Sequence, residues 1–428
     1  MRLALIVFML FAMPPIFCQD FDSYMVGSAT DLETIPNGGV CLMGGAGEND
    51  SAMVWFLEQA NGGDVLVLRA SGGDGYNDYF FSDLGVSLNS VETIVFNNSS
   101  ASSSSYIHEK IKHAEAIWFA GGDQWDYISY WRDSPIDSLI NAAIINRGIV
   151  IGGTSAGMAI QGDFYFSAEN GTITSSEALN DPFHPNCTVD TSSFLDHALL
   201  KNVITDTHFD APDRKGRLTV FIAKSLAFYG IDAKGIACDE YTAVCIGPDG
   251  IAHVYGSYPL YDDFAYFIAP NCELIDFQPE YLTAGEPLTW NHSGKALNVY
   301  KVPGNENGTN SFNTGNWYEG TGGDWLYWSV NEGVLLESLG EEPTCILNST
   351  IEPESYPTIY PNPATEIIHV PKQQYSQVKI YDLTGKLIVT SFDSIISVVL
   401  LSDGIYTINW IDVNGTPQKQ RFIKTSSN

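Results

Sequence analysis

Basic residues are scarce in this chain. Lysine and arginine number 20 against 51 aspartates and glutamates, a net charge of −31. Nothing cationic is concentrated enough to neutralise a phosphate backbone, which argues against nucleic acid as a partner. Apolar runs long enough to span a bilayer are missing beyond the first residues, so no integral membrane span is expected. Cysteine is sparse, with seven residues. None has C-x-x-C spacing and no histidine cluster joins them, so no metal site is expected. A dinucleotide loop is missing too. Gly44-Gly45-Ala46-Gly47 is not G-x-G-x-x-G, and no acidic residue closes a second strand to support it. That loop reads instead as one shaped for close approach, or as a turn, and no cofactor is implied.

The first 19 residues read as a signal peptide. Arg2 is the charged start, Leu3 to Ala12 the apolar middle and Pro14-Pro15 the break. Lipidation at Cys18 is not expected, because Pro15-Ile16-Phe17 lacks small residues. Six cysteines then remain: Cys41, Cys187, Cys238, Cys245, Cys272 and Cys345. Export permits disulfides, but six cysteines allow fifteen pairings and the spacing selects none. Cys41 and Cys245 lie in apolar runs, where buried thiols are the plain alternative.

Strands alternate with helices through the first half. Val40 to Met43, Val65 to Leu68, Val91 to Phe96, Ala116 to Phe119 and Gly148 to Ile151 read as buried strands. Between them come a helix capped by Asp50, a helix from Tyr106 to His113, and a helix ending near Ile144. This pattern predicts an α/β fold, a mostly parallel sheet with helices on both faces. Gly162 to Ser193 reads as a long polar insertion. Val203 to Phe209 is a strand leading into a loop, and Pro212 suits the first turn of a helix running through Phe228. Lys234 to Val244 and Ile251 to Pro303 read as further β structure. Gly304 to Gly333 is rich in Asn, Gly, Thr and Trp. It reads as irregular surface β structure, with sugar stacking as the alternative. Short alternating strands from Ser355 onward predict a small C-terminal β sandwich.

Gly152-Gly153-Thr154-Ser155-Ala156-Gly157 joins the apolar run at Ile151 to the helical start Met158-Ala159-Ile160. It is G-x-S-x-G on a sharp strand-to-helix turn, which holds a nucleophilic serine clear of its neighbours. The Ala156 amide is then aimed at a developing oxyanion. A serine nucleophile needs a base and a group to orient that base. Among eight histidines, His208 follows a strand in Asp206-Thr207-His208-Phe209, and Glu240 ends a strand-like run in Asp239-Glu240-Tyr241-Thr242.

Two resemblances rest on these segments. From Gly38 to Gly304 the chain resembles the cyanophycinase and aspartyl dipeptidase family of serine peptidases. The likeness rests on four segments: Ala120-Gly121-Gly122-Asp123-Gln124, Gly152 to Gly157, Asp206-x-His208-Phe209 with Arg217-Leu218, and Gly235-Ile236-x-x-Asp239-Glu240-x-Thr242-Ala243. The resemblance implies a fold like class I glutamine amidotransferases. It implies Ser155 as nucleophile, His208 as base and Glu240 as orienter, with Glu169 and Glu177 as alternatives for the last. Gly122 or Asp123 would give the second oxyanion amide. Gln124, Asp206 and Arg217 would form the substrate pocket, Arg217 holding a substrate carboxylate. One departure stands out: the family's additional Arg four residues after the His is Pro212 here.

The stretch from Ser355 closely resembles the C-terminal sorting domain of type IX secretion cargo. The likeness rests on Tyr360-Pro361-Asn362-Pro363-Ala364-Thr365, Val378 to Lys386 and Leu401 to Tyr406. It implies secretion or cell-surface placement in a Gram-negative bacterium, with the outer-membrane secretion machinery as partner. The expected domains are 1–19, 20–303, a β-rich extension at 304–354, and 355–428. The expected function is hydrolysis of aspartyl or β-aspartyl peptide bonds. An α/β-hydrolase esterase is the alternative, although its order Ser, Asp or Glu, His differs from Ser155, His208, Glu240. A non-catalytic binding protein on the same fold is the other.

Overall fold

The structure is a computed structural model that describes residues 19–190, 194–229, 231–345, 364–370, 378–382, 386–391, 395–411 and 417–425. Residues 1–18 of the expected signal peptide, Cys18 among them, and the motif residues 360–363 and 383–385 lie outside these described residues. Two compact units are present. The first comprises residues through Ala227 and Ile231–Thr344; the second comprises Phe228–Gly230 and Cys345 onward.

The first unit opens with β1 (Phe21–Gly27), β2 (Val40–Met43), α1 (Asp50–Glu58), β3 (Asp64–Arg69), α2 (Gly75–Asp78) and β4 (Ser90–Phe96). There follow α3 (Ser105–His113), β5 (Ala116–Phe119), α4 (Gln124–Trp131), α5 (Pro135–Ala142), β6 (Val150–Thr154) and α6 (Ala156–Ala159). The insertion carries β7 (Tyr165–Phe166), α7 (Ser175–Asn180) and β8 (Val189–Asp190), and then come β9 (Val203–Asp206), α8 (Lys215–Tyr229) and β10 (Lys234–Cys238). The unit closes with β11 (Ala243–Ile246), β12 (Ile251–Tyr255), β13 (Phe264–Pro270), β14 (Leu297–Pro303), β15 (Asn310–Asn313), β16 (Gly320–Thr321), β17 (Asp324–Asn331) and β18 (Val334–Leu339).

A ten-stranded sheet runs β1-β4-β3-β5-β6-β2-β11-β12-β15-β16. Its five strands from β4 to β2 are mutually parallel. The strands flanking them on either side pair antiparallel. Parallel strands are covered on both faces, which is why β2, β5 and β6 read as unbroken apolar runs and are wholly buried. Alternate side chains feed two cores. Leu66, Leu68, Ile117 and Phe119 join Ile107, Ile111, Ile136 and Ile140 of α3 and α5. Val65, Val67 and Trp118 join Met53, Phe56 and Leu57 of α1. A second sheet of six strands runs β18-β17-β14-β13-β10-β9, with β9 and β10 parallel. Leu218, Phe221 and Ile222 of α8 pack on it against Ile204, Ala237 and Ile268.

The structure amends several sequence expectations. Asn49, not Asp50, caps α1, its side chain accepting from the Ala52 amide at 3.1 Å. Pro212 does not open α8. His208 takes a left-handed φ of 46° and the Arg214 amide bonds back to the Phe209 carbonyl. The chain therefore closes a turn before the helix starts at Lys215. The described part of the insertion, residues 162–190, is packed in place: Phe164, Phe166, Ile173, Leu179 and Cys187 are buried in the α8 core. Thr174 and Glu177 form a capping box on α7. The 304–339 segment is no separate extension. β15 and β16 complete the ten-stranded sheet and β17 and β18 the six-stranded one. Cys41, Cys187, Cys238 and Cys245 are free and buried, whereas Cys272 and Cys345 are disulfide-bonded. The second unit is β-rich. It holds a two-stranded sheet of Ile367–His369 with Ile395–Ser397, and a four-stranded sheet centred on Val378–Tyr381 and Gly404–Ile411. Ile368, Ile380, Ile408 and Phe422 lie in its core.

Candidate active site

Ser155 stands between β6 and α6 with φ 52° and ψ −118°. A residue other than glycine adopts such a backbone at a cost of about 1–3 kcal/mol, and only where its surroundings enforce it. The enforcing contacts are local. The Ser155 amide donates to the Met43 carbonyl at 3.1 Å, and the Ser155 carbonyl accepts from Met158 and Ala159 at 3.0 and 2.9 Å. The elbow presses onto β5 so closely that a Cβ on Gly153 would come within 2.6 Å of the Gly157 carbonyl. One on Gly157 would strike the Phe119 carbonyl.

The strained serine meets a histidine from the other sheet. Ser155 Oγ lies 2.8 Å from His208 Nε2, and His208 Nδ1 lies 2.6 Å from Glu240 Oε1. With the proton on Nδ1 donated to Glu240, Nε2 is free to accept from the serine hydroxyl. The Gly44-Gly45 loop after β2 holds the ring. The His208 amide donates to the Gly44 carbonyl at 2.9 Å. A Cβ on Gly45, at φ 116°, would sit 2.5 Å from the imidazole. Glu240 is pinned by its own backbone, its amide donating to Asp210 Oδ1 at 2.9 Å. Beside it the Tyr241 amide donates to the Gly45 carbonyl at 3.0 Å. Sequence reasoning passed over Asp210, whose position two residues after His208 was the one available signal.

The other expected residues take distinct places. Gly121 flanks Ser155: a Cβ there would lie 3.7 Å from Ser155 Cβ, which sets Gly122 and Asp123 in the adjoining loop. Asp123 caps α4, accepting from the Trp125 amide at 2.9 Å. Ala156 begins α6. Gln124 donates to the Phe166 carbonyl at 2.9 Å, tying α4 to the insertion. Glu169 is exposed, and the Glu177 carboxylate is engaged in the α7 capping box. Glu240 is the carboxylate that the structure brings to His208.

Arg217 is not free to clamp a substrate. Its Nε and Nη2 donate to Asp206 Oδ2 and Oδ1 at 2.9 and 2.5 Å. Both residues are almost wholly buried, at 3% and 2% exposure. The Phe166 ring covers the guanidinium at 5.0 Å. The bidentate geometry expected for a substrate carboxylate is already made to Asp206. Arg214 is placed differently. It is partly exposed and donates to the Thr207 carbonyl at 2.8 Å, and no described carboxylate pairs with it. Burial and the Arg217 charge lower its pKa to about 10.

Glu240 borders a cavity of about 910 Å³. Glu48, Asp50, Asp210, Asp262, Asp263 and Glu306 line it, and no cation does. Next to it Asp239, 3% exposed, has Oδ1 without a hydrogen-bond partner among the described residues. Burial first, and then the Asp210 charge, raise its pKa to about 8. Among the described residues no cluster suited to a metal ion is found.

Residues 76–252 match the model of Peptidase family S51, a span that holds Ser155, His208 and Glu240. Residues 358–425 match the secretion system C-terminal sorting domain, which marks the chain for secretion or the cell surface. No described helix is long and apolar enough to cross a membrane. The cyanophycinase of Trichormus variabilis is 27% identical over 44% of this chain and 55% of its own length. That of Synechococcus elongatus is 25% identical over 42% of this chain and 50% of its own. The chain thus spans about half the length of the curated relatives it matches. Among solved structures, a peptidase from an acI-B1 actinobacterium aligns with a TM-score of 0.39 at 16% identity, covering 52% of this chain and 89% of that one. A putative peptidase E protein from Listeria monocytogenes EGD-e aligns with a TM-score of 0.35 at 15% identity, covering 51% and 98%.

Proposed function

We propose that this chain is a secreted serine-type hydrolase that cleaves aspartyl or β-aspartyl peptide bonds. The observation that supports it is the hydrogen-bonded series from Ser155 Oγ through His208 to Glu240, at 2.8 and 2.6 Å. Ser155 attacks the scissile carbonyl while His208 Nε2 takes the hydroxyl proton. Glu240 holds the ring in the right tautomer and stabilises the imidazolium. The Ala156 amide, with that of Gly122 or Asp123, receives the oxyanion. His208 then protonates the departing amine, and water, activated by the same imidazole, hydrolyses the acyl-enzyme.

For the aspartyl carboxylate we assign Arg214 in place of Arg217, because Asp206 already occupies the latter. The acidic cavity beside Glu240 favours a substrate whose remaining part is uncharged or cationic. The Ser155→Ala and His208→Ala variants test the chemistry on a panel of Asp-X and β-Asp-X peptides. Each should lower kcat by about 10⁴-fold or more, and the double change should add little. Near-normal turnover by Ser155→Ala, or failure of a fluorophosphonate to label Ser155, would overturn the assignment. Labelling without turnover of any aspartyl peptide would instead favour an esterase.

A further inference from the structure

Two buried thiols face each other across the strand that leads into the site. Cys41 of β2 and Cys245 of β11 are directly opposed in antiparallel register. Their Sγ atoms lie 3.6 Å apart, and both residues are fully buried. Directly opposed residues on antiparallel strands have Cα atoms about 4.5–5.5 Å apart, within the span of about 4.4–6.8 Å that a disulfide bridges. Small side-chain torsions therefore suffice to join the sulfurs. The sorting-domain match marks the chain for export, where disulfides form and persist. The chain already carries disulfide-bonded cysteines at Cys272 and Cys345.

We propose that Cys41 and Cys245 are joined by a disulfide in the exported protein, stapling β2 to β11 at the base of the active site. The oxidant is a disulfide-bearing thiol oxidoreductase or a small-molecule disulfide. One cysteine thiolate attacks the oxidant's disulfide, forming a mixed disulfide and releasing one thiol. The second cysteine thiolate attacks the protein-side sulfur of that bond. The oxidant leaves as two thiols, having gained two electrons and two protons from the cysteines. Both thiols are closed off in the folded chain, and burial raises the pKa of Cys245 well above its ordinary value. The exchange therefore takes place before β11 has closed on β2.

The bond would tie together the two loops that hold His208 and Glu240. β2 ends one residue before Gly44-Gly45, and β11 begins three residues after Glu240. It would also close a separation of 204 residues. The competing partner is Cys238, whose Sγ contacts the Leu42 carbonyl at 3.7 Å. The proposal is independent of the hydrolytic reading, and its test needs no activity.

The full chain, exported to an oxidising compartment, is unfolded in denaturant without reductant, alkylated and mapped by peptide mass. Cys41 and Cys245 should resist alkylation and appear as one linked peptide, while Cys187 and Cys238 are alkylated. The same chain made in a reducing cytosol should alkylate at all four. Free Cys41 and Cys245 in the exported chain would overturn the proposal, as would a Cys41–Cys238 link. A Cys238→Ala variant should leave the Cys41–Cys245 peptide intact, and its loss there would count equally against the assignment.

Discussion

Two aspartates stand at the ends of neighbouring parallel strands, and each lies beside a member of the relay. Asp206 closes β9 two residues before His208. Asp239 follows β10 one residue before Glu240. Both are buried to within 3%, yet they are treated in opposite ways. Asp206 meets the Arg217 guanidinium in a two-point pair. Asp239 has one oxygen bonded to the Phe264 amide at 3.3 Å and the other without a partner among the described residues, and it holds its proton up to about pH 8. Desolvation alone drives a carboxyl toward its neutral form, and an adjacent guanidinium reverses that. The strand end that precedes His208 is thus anchored by an ion pair. The one that precedes Glu240 ends on a carboxyl that burial keeps neutral below about pH 8.

The largest effect should come from splitting the ion pair. Arg217→Met leaves the Asp206 carboxylate buried and uncompensated, which should cost about 3–5 kcal/mol in urea unfolding. Arg217→Met with Asp206→Leu should recover most of that. An unchanged unfolding midpoint in the single variant would break the contrast. A smaller effect is expected at Arg214, with which no described carboxylate pairs. Arg214→Met should lower kcat/KM on an Asp-X peptide by about 10–100-fold, roughly 1.4–2.8 kcal/mol. The matching Asn-X peptide should change little, and equal losses on both would return the clamp to another residue.

The smallest effect, taken over a single pH unit, concerns Asp239. Folded, it releases its proton near pH 8; its ordinary value is 3.8. Between those values the folded state binds the extra proton, so this group's contribution to stability falls as pH rises from about 4 to about 8 and is level above. Asp239→Asn has no such proton to lose. Its stability relative to the unsubstituted protein should therefore rise across that window, by at most about 1.4 kcal/mol per pH unit. A flat difference would mean that Asp239 is ionised at neutral pH and would remove the contrast.

Much of this was legible beforehand where a local pattern carries the answer. The buried runs of β2, β5 and β6, the glycines around Ser155 and the placement of His208 after a strand are local features, and the sheet follows from them. What was hidden depends on contacts between distant elements. Arg217 and Asp206 are eleven positions apart, and nothing in either residue says that α8 turns back to set the guanidinium against the end of β9. The 304–339 segment looks irregular by composition, because its strands are short and its partners lie elsewhere in the chain. The insertion after the elbow looked polar, yet a few aromatic and aliphatic residues, Phe164, Phe166 and Ile173 among them, suffice to bury it. Pro212 suggested a helix start by chemistry alone, and the preceding turn at His208 overrode it.

Ser155 hangs from the ten-stranded sheet, whereas His208 and Glu240 follow strands of the six-stranded one. The hydrogen-bonded series Ser155–His208–Glu240 therefore spans two sheets that share one core, and it exists only where both are formed. Neither sheet alone supplies both the Ser155 hydroxyl and the His208 imidazole.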